Sequence, residues 1–268
     1  MRHIPLAELT SQMLSGADGQ TIKARLFRSH MKLVRMASAD RQGYIRRNGP
    51  VKWSPIKNWL TAKLGKKCWY TEAELVGAPL AVDHFRPVCD YWWLAFAADN
   101  YRVSCAFANS PQHNPLHGCA GGKGDNFPLL GLGLRATGKN KLRAEKPLIL
   151  DPCSERDCDL VAFQADGRPV LNPAHSADPI ALRRVEESKI LLNLDHPEFN
   201  SKREQLCNEI ASDVQTYEEL STGAAGRTMI STRMEGRLAA SAPFSSAARS
   251  YVRLHRDLDW IEALLARA

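Results

Sequence analysis

Four polar residues in the first half of the chain are of types that can hydrolyse a phosphodiester. Asp83 and His84 are adjacent, Asn100 follows in a second short segment, and Asn109 lies nine positions further on. Phosphodiester hydrolysis needs a base that takes a proton from water, and histidine suits this near neutral pH. It also needs positive charge against the charge that develops on the phosphate and on the leaving oxygen. A hard cation such as Mg²⁺ prefers oxygen ligands, which an Asp carboxylate or an Asn amide supplies.

These residues act together only if the backbone brings them together. Ala81-Val82 running into Asp83-His84 reads as a short strand, and strand neighbours point to opposite faces. Both could serve one site only where the strand ends or bends, and Pro87 is consistent with an early end. Asn100-Tyr101-Arg102-Val103-Ser104-Cys105 reads as a second strand or turn, and Ala106 to His113 as the start of a short helix. An amide at Asn109 could then reach a metal held between strand and helix. On that helix His113 would share a face with Asn109, four residues apart. Two readings of His113 stay open, a further metal ligand or a loop histidine without a role. Glu72 is likewise open: it could support the site from behind or sit exposed.

The remaining elements are mostly helical. Residues 1–50 read as helix, and Ser54-Pro55 as an N-cap with proline at the first helical position of a new one. Ile56, Trp59, Leu60 and Leu64 follow at helical spacing. Residues 111–126 look like a loop. Residues 147–173 look like a strand-rich connector with a turn at Asp166-Gly167. A helix is expected after Asp178-Pro179, a stripe from Phe199 to Leu220 marks another, residues 221–242 read as a loop, and Phe244 to Leu265 as a last helix.

Bulk properties bound the function class. With 268 residues, 44% hydrophobic and 24% charged, the chain can bury a sizeable core. It has no apolar run long enough to cross a membrane, and its first residues lack the pattern of a signal peptide. No membrane role and a cytoplasmic location are expected. Seven cysteines, an odd number without a CxxC pair, argue against a secreted disulfide framework. The formal net charge of +7 is uneven: Lys23 to Lys67 holds 13 Lys/Arg and a single acid, Asp40, which leaves the rest of the chain acidic. Such asymmetry suggests a basic surface that meets phosphates.

The motifs add a resemblance. Cys68-Trp69-Tyr70-Thr71-Glu72, Asp83-His84-Phe85-Arg86-Pro87, Tyr91-Trp92-Trp93-Leu94, Asn100-Tyr101-Arg102, Cys105, Asn109, Lys123-Gly124-Asp125-Asn126-Phe127-Pro128-Leu129 and Leu150-Asp151-Pro152 occur in that order. This set resembles the HNH endonuclease family, and within it the HNH subunits of Septu-type and retron-linked anti-phage defence systems, over roughly residues 65–195. The resemblance implies an α+β chain, mainly helical, with a small ββα-metal nuclease core. It implies His84 as the general base and Asn100 as the asparagine that orients the His-bearing loop. It further implies Asp83 and Asn109, with His113 as an additional candidate, as ligands of Mg²⁺ or Mn²⁺, and Lys123, Arg86 and Arg102 as phosphate contacts. The implied partners are nucleic acid, with DNA favoured over RNA such as tRNA, and an ATPase subunit. A non-catalytic HNH-derived scaffold is the alternative.

Two features depart from the family: the stretch between Asn109 and Lys123 is longer here, and the cysteines of the family differ. Its two CxxC pairs bind a structural zinc, whereas Thr71 and Ala108 here leave only Cys68 and Cys105. Two thiolates do not complete a tetrahedral site. Either zinc is absent and packing replaces it, the favoured reading, or His117 and Cys119 complete it. The expected regions are a basic helical segment over 1–66, the nuclease core with its connector over 67–175, and a helical region over 176–268.

Overall fold

In a computed structural model of the chain, the described residues are 1–75, 77–131 and 135–267. The architecture is α+β and mainly helical, with three small antiparallel strand pairs.

Three helices open the chain: α1 (Leu6–Ser15), α2 (Ala17–Arg35) and α3 (Ser38–Leu64). Ser54-Pro55 does not start a helix as expected, because Pro50 and Pro55 both lie inside the 27 residues of α3. Proline normally breaks a helix by removing a donor and crowding the preceding turn. Here Ile45, Gly49, Trp53, Ile56 and Leu60 recur at steps of three and four, so one continuous face meets the core. That burial outweighs the local signal. Gly49 is part of the fit, since a Cβ there would collide with the Trp53 ring.

The centre of the chain is built from short pieces. Strand β1 (Ala81–His84) pairs antiparallel with β2 (Tyr101–Ser104), with His84 opposite Tyr101 and Asp83 opposite Arg102. The expected helix after Cys105 stops early: α4 is only Ala106–Asn109. Pro111 explains the stop, because the residue before a proline is driven to extended backbone, and Ser110 has φ −121° and ψ 155°. The presumed loop beyond contains a hairpin, β3 (Gln112–Asn114) with β4 (Cys119–Gly121).

In the connector, α5 (Glu155–Asp159) precedes β5 (Val161–Phe163) and β6 (Pro169–Leu171), which pair around the expected turn, with Gly167 at φ 79°. Pro147 makes only an isolated bridge to Leu129 rather than a strand. The carboxyl-terminal part is α6 (Pro179–Leu191), α7 (Pro197–Glu219), α8 (Ala225–Leu238), α9 (Ser245–Val252) and α10 (Asp259–Arg267). Helix α8 occupies the segment expected to be a loop, anchored by Ile230, Met234 and Leu238 at four-residue steps. The single last helix is broken by a 3₁₀ turn over Arg253–His255.

The hairpin of β1 and β2 joins two cores. Tyr101 and Val103 pack with Leu33, Ile56 and Leu60 of α2 and α3. Around Cys105, a second core gathers Cys68, Tyr70, Leu150, Val185 and Leu192. A further core of Phe199, Ile210, Met234, Tyr251 and Ile261 holds α7 to α10 together. Among the described residues no helix is long and apolar enough to cross a membrane.

Candidate active site

His84 is the last residue of β1 and is half-buried. Its Nε2 lies 3.0 Å from the Ala95 carbonyl oxygen. A carbonyl only accepts, so Nε2 carries the proton and a neutral ring keeps its lone pair on Nδ1. Trp53 of α3 and Tyr101 of β2 stand edge-on to the ring, with centroids 4.9 and 5.1 Å away. Burial among them lowers the His84 pKa, partly opposed by the Ala95 hydrogen bond and the Asp83 charge. The imidazole is therefore neutral near pH 7, the state a base requires.

Asn100 fixes the backbone that follows. Its Oδ1 accepts from the Arg86 N–H at 2.9 Å, its Nδ2 donates to the Arg86 carbonyl at 2.9 Å, and its own carbonyl accepts from the Phe85 N–H at 2.9 Å. Three bonds from one buried residue grip the two residues after His84. These bonds fix the backbone of the segment that follows His84.

Asp83 is buried and faces away from His84, as strand alternation requires. Its Oδ1 accepts from the Lys123 ammonium at 2.8 Å and its Oδ2 from the Tyr70 hydroxyl at 2.6 Å. Burial first, and the Asp83 charge second, raise the Tyr70 pKa well above its ordinary value, so the phenol stays a donor. The same Lys123 ammonium donates to the His84 carbonyl at 2.7 Å and approaches the Gly124 carbonyl at 3.3 Å. Lys123 is thus a buried internal cation among oxygens, not the phosphate contact expected of it.

Asn109 ends α4 and is half-buried. The Lys123 N–H donates to the Ala108 carbonyl at 2.9 Å and the Gly124 N–H to the Asn109 carbonyl at 3.0 Å. The chain at 123–124 therefore ties the end of α4 to the end of β1. Asp125, on the same turn, is exposed, and its charge raises the His84 pKa. Sequence reasoning gave Asp125 no role.

A divalent cation would need a free oxygen on Asp83. A carboxylate and an Asn amide are the right donor types, but both Asp83 oxygens are engaged and the cation position at Oδ1 holds the Lys123 ammonium. As arranged, these residues do not fit a divalent ion, and we draw no catalytic step through one.

The other candidates are placed differently from expectation. Arg102 is buried, and its guanidinium grips Asp151 through two bonds of 2.7 and 2.6 Å rather than facing a phosphate. Arg86 donates to Glu145 at 2.7 Å. His113 lies on β3, exposed, and shares no helix face with Asn109 because α4 has already ended. Cys68 and Cys105 are buried in one core with Ala108, and Thr71 Oγ1 lies 3.9 Å from Cys105 Sγ. A hydrogen bond to Cys68, together with burial, pushes the Cys105 thiol pKa up. Of the other two candidates, His117 lies 2.9 Å from Asp195 and Cys119 is exposed. Glu72 is buried against Lys67, the amino terminus, Ser245 and Ser246, so it holds α9 rather than the site.

Sequence reasoning missed Tyr70, the Ala95 carbonyl and Trp53. None of these is legible from residue type alone, because each acts through a partner distant in the chain. No protein-family model matches the chain, and no curated protein matches it either.

Proposed function

We propose that the chain is an HNH-type nuclease that hydrolyses phosphodiester bonds of nucleic acid, with His84 as the base. The observation that carries this reading is the setting of His84. Its proton is committed to the Ala95 carbonyl at 3.0 Å, its Nδ1 lone pair is left for a water, and Asn100 locks the next two residues. Trp53 at the ring belongs to α3, so the base lies beside the cation-rich segment of the chain. That segment supplies the attraction a polyanionic substrate needs.

His84 would take the proton of a water whose oxygen bonds to phosphorus, the P–O bond to the leaving sugar oxygen would break, that oxygen would take a proton from solvent water, and Asn100 would hold the segment against displacement. Because water is the nucleophile, no 2′-hydroxyl is required, and DNA and RNA are both chemically open; DNA is the favoured substrate. Mg²⁺ or Mn²⁺ is the cation implied by the family resemblance, and the Asp83 carboxylate, closed by Lys123 and Tyr70, does not fit it as arranged. The resemblance also supports a role as effector of an anti-phage system alongside an ATPase subunit.

A second reading, a non-catalytic scaffold that binds nucleic acid, is favoured by one observation: the Asp83 carboxylate is closed by Lys123 and Tyr70. Incubating the purified chain, with and without its ATPase partner, with plasmid DNA and total RNA in Mn²⁺ or in chelator separates the two. Metal-dependent cleavage supports the nuclease. Binding that survives chelator, with no cleavage of either polymer, supports the scaffold.

A further inference from the structure

A cavity of about 470 Å³ opens between the end of α1, the middle of α2 and the segment that follows Tyr91. Its floor is apolar, from Leu14, Leu26 and Phe96. Phe27 and Trp93 line it as well, and Phe27 is 63% exposed, an unusual position for so large an apolar side chain. The Trp93 Nε1 is buried without a hydrogen-bond partner. That atom is closed to the cavity as it is to solvent and offers a ligand no donor. Among the described residues of the lining, the charged and titratable ones are Lys23, His30 and Lys139, with no carboxylate. Burial and then the Lys139 charge lower the His30 pKa, so it joins two cations as a neutral donor or acceptor.

A site of this size with apolar walls and a few polar groups takes a small planar ligand or part of a larger one. The lysines need an anion on that ligand. Base stacking on aromatic side chains, with phosphate held by cations, meets both demands. We infer that this cavity binds a nucleoside phosphate whose base is unstacked, with the base against Phe27 and Trp93 and the phosphate at Lys23 and Lys139.

A strand is favoured as the source over a free nucleotide. Phe27 also lines the neighbouring groove on α2, with Arg28, Lys32 and Arg35. Phosphates of adjoining nucleotides can follow these cations along the helix. A duplex cannot enter in the same way, because its bases are already stacked and paired. The inference goes beyond the nuclease reading and is tested without it, since the readout is binding and not cleavage. The two sites are nonetheless joined, because the segment whose Phe96 and Ala97 line the cavity also supplies the Ala95 carbonyl that holds His84.

The test is fluorescence anisotropy of a labelled oligo(dT) with the full chain in chelator, beside the matching duplex and with dTMP as competitor. Phe27→Ala, at an exposed position, should fold as the parent does, and a circular dichroism melt confirms it. We expect the variant to weaken oligo(dT) binding about tenfold and to leave duplex binding unchanged. Lys23→Glu with Lys139→Glu should weaken the strand comparably. Competition by dTMP at concentrations similar to those of the strand would uphold the ligand chemistry and make a free nucleotide its source. Equal loss of strand and duplex binding in Phe27→Ala, or no loss of either, overturns the inference.

Discussion

At the residue scale, two buried side chains set the geometry around His84, and each makes a separate prediction. Asn100 grips Arg86 with one donor and one acceptor. Asn100→Asp keeps the acceptor and the size but loses the donor to the Arg86 carbonyl. It should slow cleavage at least tenfold, since an unmet buried bond costs about 1–3 kcal/mol; a rate equal to the parent's would remove Asn100 from the account. Lys123 is the second. With its ammonium gone, Asp83 becomes a buried carboxylate held by Tyr70 alone. Lys123→Met should lower unfolding stability by about 3–5 kcal/mol, measured by urea denaturation. The variant that still folds should also take up Mn²⁺ more readily than the parent, seen by electron paramagnetic resonance. The burial of Lys123 was not legible beforehand, because lysine is ordinarily exposed. Its acceptor lies 40 positions away, and no local pattern joins the two.

At the element scale, what could be read in the sequence was what is encoded locally. Asp178 before Pro179 is an N-cap, and its carboxylate accepts from the Ile180 and Ala181 N–H groups as that spacing implies. The Asp166-Gly167 turn between β5 and β6 was legible for the same reason. The failures are long-range. Helix α3 runs through two prolines because its far side is fixed to the core, and α8 forms from a small, polar segment through three apolar residues that find a core. The tie from β4 to Lys123 depends on Gly122, which has φ +100° and no room for a Cβ beside the Ser110 carbonyl. Gly122→Ala should cost about 1–3 kcal/mol in backbone strain, read as a lowered midpoint of thermal unfolding. The join of β2 to the connector is electrostatic. Burial alone would push the Asp151 pKa up, but the Arg102 charge and hydrogen bonds hold it below its ordinary value. Such a group stabilises fully above the unfolded carboxylate range, about pH 4, and loses that contribution as pH falls through its lower folded value. The stability difference between parent and Asp151→Asn should therefore be largest at neutral pH and shrink in acid; a difference independent of pH would contradict the pairing.

At the scale of the whole molecule, the cation-rich amino-terminal helices are not a separate appendage to the site. They share a core with β2, and Trp53 from α3 touches the candidate base. Those helices carry most of the cation-rich segment from Lys23 to Lys67, and the cavity at Phe27 and Trp93 opens beside α1 and α2. The order of the motifs singled out Asp83, His84, Asn100 and Asn109, which lie on or beside β1, β2 and α4. It did not forecast that Arg86 and Arg102 would be consumed by Glu145 and Asp151, since ion-pair partners cannot be assigned from charge alone. The central claim is that His84 activates water for phosphodiester cleavage. The direct measurement is single-turnover cleavage of DNA and RNA substrates in Mn²⁺ by the parent and by His84→Ala, with both shown by circular dichroism to fold alike. We expect cleavage by the parent and a loss of at least a hundredfold in the variant; a variant that cuts as fast as the parent would exclude His84 as the base.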